Sequence, residues 1–272
     1  MDNGSIAFVG GGNMARALIG GLVARGRAGA SIQVAEPVPA LREALAADFG
    51  VGTHETASEA AALAGTWVLA VKPQVMRAVC ESLAPLAQAR RPLVLSIAAG
   101  ITSGQLDRWL GGDQAVVRAM PNTPALLGAG ATGLYANGRV DHAGRALAEA
   151  LMQSCGLVCW IPEEALMDAV TAVSGSGPAY VFLLAEAMHA AAQAQGLAPD
   201  TARLLVLQTL LGAARMLSES GEDAATLRRR VTSPGGTTQA AVETFEAGGL
   251  RSLVDAAVAA AVRRGRELSA DG

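Results

Sequence analysis

A chain of 272 residues, 51% hydrophobic and 17% charged, has room for one large globular domain or two smaller ones. Its net charge of -3 and its lack of a basic block exclude nucleic acid or an anionic membrane as the main partner. No stretch reaches the uninterrupted apolar length of a membrane span, and Met1-Asp2-Asn3-Gly4 has no basic region leading into a long apolar run, so the expected location is the cytoplasm.

The chain opens on Ile6-Ala7-Phe8-Val9, four residues suited to a buried strand, which run into Gly10-Gly11-Gly12-Asn13-Met14 and then into the helical pattern from Ala15. This is how a dinucleotide-binding βαβ unit begins. Gly10 permits the tight turn, Gly12 lets backbone approach a diphosphate at the helix N-terminus, and Ala15 is small enough for helix to lie on strand. The second strand, Ser31 to Glu36, ends at Pro37 with an acidic residue where such folds hold the ribose hydroxyls of NAD; a solvated glutamate before a turn is the other reading. Helices are expected over 38–48 and from Ser58 to Ala64, with Thr53 to Thr56 as a polar connection.

Thr66 to Val71 is a near-continuous apolar strand of the kind covered on both faces in a parallel sheet, and it ends at Lys72-Pro73-Gln74. Lys72 is the single lysine beside twenty arginines, which suggests either a place where a compact ammonium is wanted or chance in an arginine-rich chain. Two further helix and strand pairs follow. One strand, Leu93 to Ile97, ends in Ala98-Ala99-Gly100; the other, Ala115 to Ala119, ends in Met120-Pro121-Asn122-Thr123-Pro124. In open parallel sheets the ligand lies beyond the carboxyl ends of the strands, and turn-forming residues stand at each of those ends here. A strand near Thr132 to Tyr135, a helix from Asp141 to Ser154 and a strand from Leu157 to Ile161 complete this half. Cys80, Cys155 and Cys159 form no disulfide framework and lack the second ligand pair of a zinc site, so buried, reduced thiols and no metal are expected.

Beyond Pro162 only helical pattern remains, giving an α/β fold with a nucleotide domain over 1–162 and a helical domain over 163–272. Runs such as Leu204-Leu205-Val206-Leu207 make these helices apolar around much of their circumference, which favours an intertwined dimer over a self-contained helical core. Ser174 to Pro178 breaks one helix and starts the next. Ser233-Pro234-Gly235-Gly236-Thr237-Thr238 introduces another, and its amides and hydroxyls suit either a bound carboxylate or plain helix capping.

At these residues the chain resembles the pyrroline-5-carboxylate reductase family over essentially its whole length. The resemblance rests on Phe8 to Met14, Ala70 to Gln74, Ser96 to Gly100, Arg118 to Pro124, Ser174 to Tyr180 and, above all, Ser233 to Thr238. It implies an N-terminal Rossmann dinucleotide-binding domain and an all-α dimerisation domain that interlocks with its twin, often in a ring of dimers. Each site is then built from one subunit's nucleotide domain and helices shared across the dimer.

The resemblance also implies hydride transfer from NADPH to the C=N bond of 1-pyrroline-5-carboxylate, giving L-proline. The coenzyme would be held by Gly10, Gly12, Asn13 and Met14, by Val71, Lys72 and Pro73, and by Ala98, with Glu36 at the ribose. Ser233, Gly235, Gly236 and Thr237 would hold the substrate carboxylate, Thr238 the ring nitrogen, and Glu164 would be a further substrate-side contact. Many members carry a small polar residue at the position of Glu36, whose carboxylate opposes a 2′-phosphate, and this brings NADH into consideration.

A protonated imine is already an electrophile, so positioning and electrostatic support suffice without a histidine acid; His54, His142 and His189 lie outside every motif. Arg228-Arg229-Arg230 either adds positive potential near the site mouth or forms a solvated helix face. A β-hydroxy acid dehydrogenase would need a catalytic lysine in the C-terminal half, where this chain has none. A noncatalytic NAD(P)-binding sensor would have no need for the Ser233 to Thr238 loop.

Overall fold

A computed structural model describes residues 4–270; the expectation about Met1-Asp2-Asn3 lies outside the described residues. The first strand, β1 (Ile6–Val9), is buried along its whole length and feeds α1 (Asn13–Ala24). There follow β2 (Ile32–Ala35), α2 (Pro39–Phe49), β3 (Gly52–His54), α3 (Ala57–Ala61), β4 (Thr66–Leu69) and α4 (Pro73–Arg90). Then come β5 (Leu93–Ser96), α5 (Ser103–Trp109), β6 (Ala115–Met120), β7 (Gly130–Ala136), α6 (His142–Gln153) and β8 (Gly156–Trp160). The strands form one eight-stranded sheet in the order β3-β2-β1-β4-β5-β6-β7-β8.

Helix starts follow from local chemistry. Pro39 and Pro73 begin α2 and α4, where a missing N–H costs nothing. Thr56 with Glu59, and Thr102 with Gln105, form reciprocal capping boxes at α3 and α5. Alternation along β1 then divides the core into two layers. Ile6 and Phe8 meet Leu18 and Ile19 of α1 on one face, while Ala7 and Val9 meet Trp67, Leu69, Met76 and Leu83 on the other. The Trp67 indole is fully buried and donates to the carbonyls of Ala61 (3.0 Å) and Ala64 (3.2 Å), closing the end of α3.

Three features differ from the sequence expectation. Thr53 and His54, read as part of a polar connection, belong instead to the edge strand β3, where Gly52-Thr53-His54 is held by parallel backbone pairing to Gln33, Val34 and Ala35. β7 runs antiparallel to β6, so β7 and β8 form a parallel pair pointing against the rest of the sheet. The reversal is pinned by Asn122, whose side chain accepts from the Ala131 N–H (2.9 Å) and donates to the Ser174 carbonyl (3.0 Å). Finally, Cys80 and Cys155 are buried as expected, but Cys159 is exposed, because β8 is an edge strand with one open face.

After β8 come a 3-10 turn at Glu164–Leu166, α7 (Met167–Val170) and a π-turn at Thr171–Gly175. The remaining helices are α8 (Gly177–Ala194), α9 (Pro199–Glu219), α10 (Ala224–Arg230), α11 (Thr237–Ala247) and α12 (Leu250–Ala270). By contacts the chain forms two compact units. The first runs to Ser176 and takes back the end of α12 from Ala261, and the second is Gly177–Ala260. By contacts the division thus falls after the π-turn, between Ser176 and Gly177. The segment between β8 and α8 belongs to the first unit because its side chains seat on the sheet: a Cβ added at Gly133 of β7 would lie 2.6 Å from Val170 Cγ1. Among the described residues no helix is long and apolar enough to cross a membrane.

Candidate active site

In the first unit the predicted nucleotide-side residues gather at the carboxyl ends of the neighbouring strands β2, β1, β4 and β5. Gly10 has φ +102°, and a Cβ there would stand 2.7 Å from the Ala70 carbonyl oxygen, so only glycine fits between the β1 and β4 turns. Gly12 is the N-cap of α1 and makes no side-chain cap; a Cβ built on it meets nothing within 4 Å. Open space at Gly12, beside first-turn amides of α1 that have no intrahelical partner, fits the diphosphate of a dinucleotide. Val71 lies beside this turn, its Cγ1 3.2 Å from the Cβ position of Gly10. Lys72 is exposed as N-cap of α4, with Pro73 in the helix's first turn. Ala98 is buried just past β5, its N–H donating to Ser96 Oγ (3.3 Å).

Glu36 stands at the end of β2 and is only 7% exposed. Its Oε2 accepts from the Gly11 N–H (2.9 Å) and its Oε1 from the Val38 N–H (3.0 Å), which ties it to the glycine turn. A carboxylate has about four acceptor sites, so this pairing leaves capacity for ribose hydroxyls. Arg42 of α2 went unnoticed in the sequence. Its guanidinium donates to the carbonyls of Glu36 (2.7 Å) and Pro37 (2.9 Å), so this turn carries both a carboxylate and a cation.

Glu164 was expected beside the substrate, yet its carboxylate is engaged within the protein. Oε1 accepts from the Ser103 N–H (2.6 Å) and Arg118 Nη1 (2.9 Å), and Oε2 accepts from Ser103 Oγ (2.7 Å). Arg118 is only 6% exposed on β6, and Ser103 opens α5 directly after the Ala98 turn. The pair therefore fixes the start of α5 and the turn before it. The end of α12 buttresses the same turn, with Gln105 Nε2 donating to the Ser269 carbonyl (3.3 Å).

In the second unit, Ser233 to Thr238 forms the entry to α11. Gly235 has φ +71°, and Gly236 is an N-cap with no side-chain capping bond. The expected use of the Gly235 and Gly236 amides for a carboxylate is not what the loop shows. The Gly235 N–H donates to Gln239 Oε1 (2.7 Å) and the Gly236 N–H to the Ser233 carbonyl (3.0 Å), because the loop closes on itself. The donors that face outward are the first-turn amides and hydroxyls of Thr237 and Thr238, with Ser233 exposed and Thr238 half-buried. Gln239, four residues after Gly235, is the residue that sequence reasoning missed.

The arginine triplet is tied down locally. Arg228 pairs with Glu246 (3.1 Å), Arg230 with Glu222, and Arg229 bonds the Thr226 hydroxyl (2.7 Å). It is a paired helix face. Hydrogen bonding from Arg251 holds the Glu246 carboxyl below its ordinary range. The His54 ring faces Gln33 Oε1 (2.8 Å) while its carbonyl accepts from the Glu36 N–H (3.0 Å), and the His189 ring faces the Pro199 carbonyl (3.1 Å).

Residues 164–268 match the family described as pyrroline-5-carboxylate reductase dimerisation, and residues 5–100 match the NADP oxidoreductase, coenzyme F420-dependent family. The pyrroline-5-carboxylate reductase of Pseudomonas aeruginosa is 50% identical over 269 residues, covering 99% of this chain and 98% of that one. A solved pyrroline-5-carboxylate reductase from Coxiella burnetii superposes with a TM-score of 0.95 at 44% identity, over 98% of this chain and 99% of the other. The pyrroline carboxylate reductase of Plasmodium falciparum, solved with NADP bound, gives 0.86 at 29% identity over 99% of both chains. Full-length likeness at this level, together with the glycine turn and the α11 entry loop, decides the matter: the chain belongs to the pyrroline-5-carboxylate reductase family.

Proposed function

We propose that this enzyme accepts NADH alongside NADPH, with Glu36 and Arg42 setting the ratio. The reaction is that of its family, reduction of the C=N bond of 1-pyrroline-5-carboxylate to L-proline by an NAD(P)H-dependent oxidoreductase. The observation that carries the coenzyme reading is the β2 turn. The Glu36 carboxylate is fixed there by the Gly11 and Val38 amides, where it opposes a 2′-phosphate and accepts from a ribose. Arg42 in the same turn offsets that repulsion in part.

In this proposal Gly10, Gly12, Asn13, Met14, Val71, Lys72, Pro73 and Ala98 hold the coenzyme. When bound, the reduced nicotinamide supplies a hydride for the imine carbon. The Thr237 amide and hydroxyl, with Ser233, hold the substrate carboxylate against the positive end of α11. Gly235 and Gly236 shape that loop, and Gln239 locks it. The Thr238 hydroxyl hydrogen-bonds the ring nitrogen as electrons arrive there, so catalysis rests on positioning and polar support. Glu164 acts through Ser103 as a positioning residue for the Ala98 turn.

The proposal extends to a cytoplasmic location, in keeping with three free cysteines, and to dimers that assemble into a ring. Exposed apolar side chains on α8 and α9, and a separate groove of about 610 Å³ between α10, α11 and α12, support more than one contact face.

The test is initial rate with 1-pyrroline-5-carboxylate and each coenzyme in parallel, repeated on Glu36→Ser. The variant should raise the NADPH-to-NADH ratio of kcat/KM by about tenfold or more, one charge contact being worth on the order of 1.4 kcal/mol. An unchanged ratio removes Glu36 from coenzyme selection.

A further inference from the structure

The sheet is covered on both faces from β1 to β6, as a mainly parallel sheet requires, but on the side of α3, α4 and α5 this cover stops at its last two strands. There β8 turns Val158 and Trp160 toward the core and leaves Leu157, 65% exposed, and Cys159 on the open face. The open face is the floor of a groove of about 410 Å³. Leu157, Cys159 and Ile161 line it from the sheet side, and Leu166, Val170 and Val173 form its wall, with no charged side chain among the lining residues. An uncharged edge strand with an exposed apolar face is an association hazard unless something covers it.

We infer that a second copy of this chain covers this groove, so that the subunit interface extends from the helical unit onto the β7–β8 end of the nucleotide sheet. The wall residues identify the occupant. Leu166, Val170 and Val173 fall inside the segment matched as the family's dimerisation region, which begins at residue 164, so the groove continues an established interface. The first unit thus gives one wall of the dimerisation segment and two strands to the same apolar surface. The complement is on the page as well: α8 and α9 expose Phe182 (62%) and Leu204 (66%) among other large apolar side chains, and a second copy brings the same helices.

Cys159 makes the inference testable without altering the protein. Cys80 and Cys155 are buried and their thiols are pushed up by that burial, Cys80 to about 12, so neither reacts quickly with a disulfide reagent near neutral pH. Cys159 is the exposed thiol of the protomer. The experiment is thiol titration of the native enzyme with 5,5′-dithiobis(2-nitrobenzoate), on a sample whose association state is fixed by sedimentation. A covered groove gives no fast-reacting thiol in the oligomer and one in the dissociated chain, which Cys159→Ser abolishes. One fast thiol in the intact oligomer overturns the inference while leaving the oligomer itself standing. Protection that persists after dissociation also overturns it, since the chain then covers its own groove. Val173→Arg is the second arm. It should raise the dimer dissociation constant by about thirtyfold or more while circular dichroism stays native, as loss of a central apolar contact does. An unchanged constant places the groove outside the interface.

Discussion

The two units of this chain treat their apolar residues in opposite ways. The nucleotide unit buries large side chains on both faces of its sheet, among them Phe8, Leu18, Trp67, Leu69 and Leu83, each at most 2% exposed. In the helical unit, among the described residues, Ala202, Val206 and Leu227 are the buried hydrophobics, while Phe182, Leu183, Leu204, Leu205 and Leu253 stand open. Both halves read as apolar in sequence, but one satisfies its hydrophobic surface within the protomer everywhere except the β7–β8 face, and the other needs a second copy for most of it. Apolar content therefore measures how much surface must be buried, and topology decides which chain buries it.

If the nucleotide unit is held by its own core, cavities there should weaken it equally at every protein concentration. Trp67→Ala should cost about 3–5 kcal/mol by urea titration, since it empties a fully buried site and frees the Ala61 and Ala64 carbonyls. Glu164→Ala should cost about 3 kcal/mol, at the low end for a broken buried ion pair because Glu164 is partly exposed. It should also raise KM for the coenzyme through the Ala98 turn; Glu164→Gln, which keeps an acceptor for Ser103 but leaves the buried Arg118 without a counter-charge, should restore most of the KM and little of the stability. In the helical unit the sharpest change is chemical. Thr238→Ala should lower turnover by about ten- to a thousandfold with melting and association unchanged. Unchanged turnover removes Thr238 from the mechanism.

The smallest effect is a pH slope in the nucleotide core. Burial raises Cys80 from an ordinary 9.0 to about 12, so above pH 9 the folded state keeps a proton that the unfolded chain loses. Stability is unaffected below that value and falls as pH rises through the window. Cys80→Ala should remove about 1 kcal/mol of that loss between pH 9 and pH 10, read as the difference between the two proteins at those two values.

What the sequence made legible follows the same division. β1, β4, β5 and β6 are apolar runs ending in turn residues, so the strands, and the candidate site proposed at their carboxyl ends, could be read directly. β3 could not, because Gly52-Thr53-His54 owes its strand to backbone pairing with β2 and carries no apolar signal. The reversal at β7 depends on Asn122 reaching Ala131 and Ser174, and the Glu164 cluster joins residues as far as 61 positions apart; neither leaves a local pattern. Glu36 was legible from its place after a strand, whereas Arg42 and Gln239 look like ordinary helix residues until their bonds to the turns are seen. Cys159 was expected to be a buried thiol because it belongs to no disulfide or zinc framework, but that reasoning does not say which strand ends the sheet.

Sedimentation equilibrium of the intact chain, with far-ultraviolet circular dichroism at the same concentrations, tests most directly whether the helical unit completes its core in a second copy. The account predicts an oligomer across the micromolar range, with helicity and activity lost together wherever dilution yields monomer. A monomer that keeps its full helical signal would contradict it.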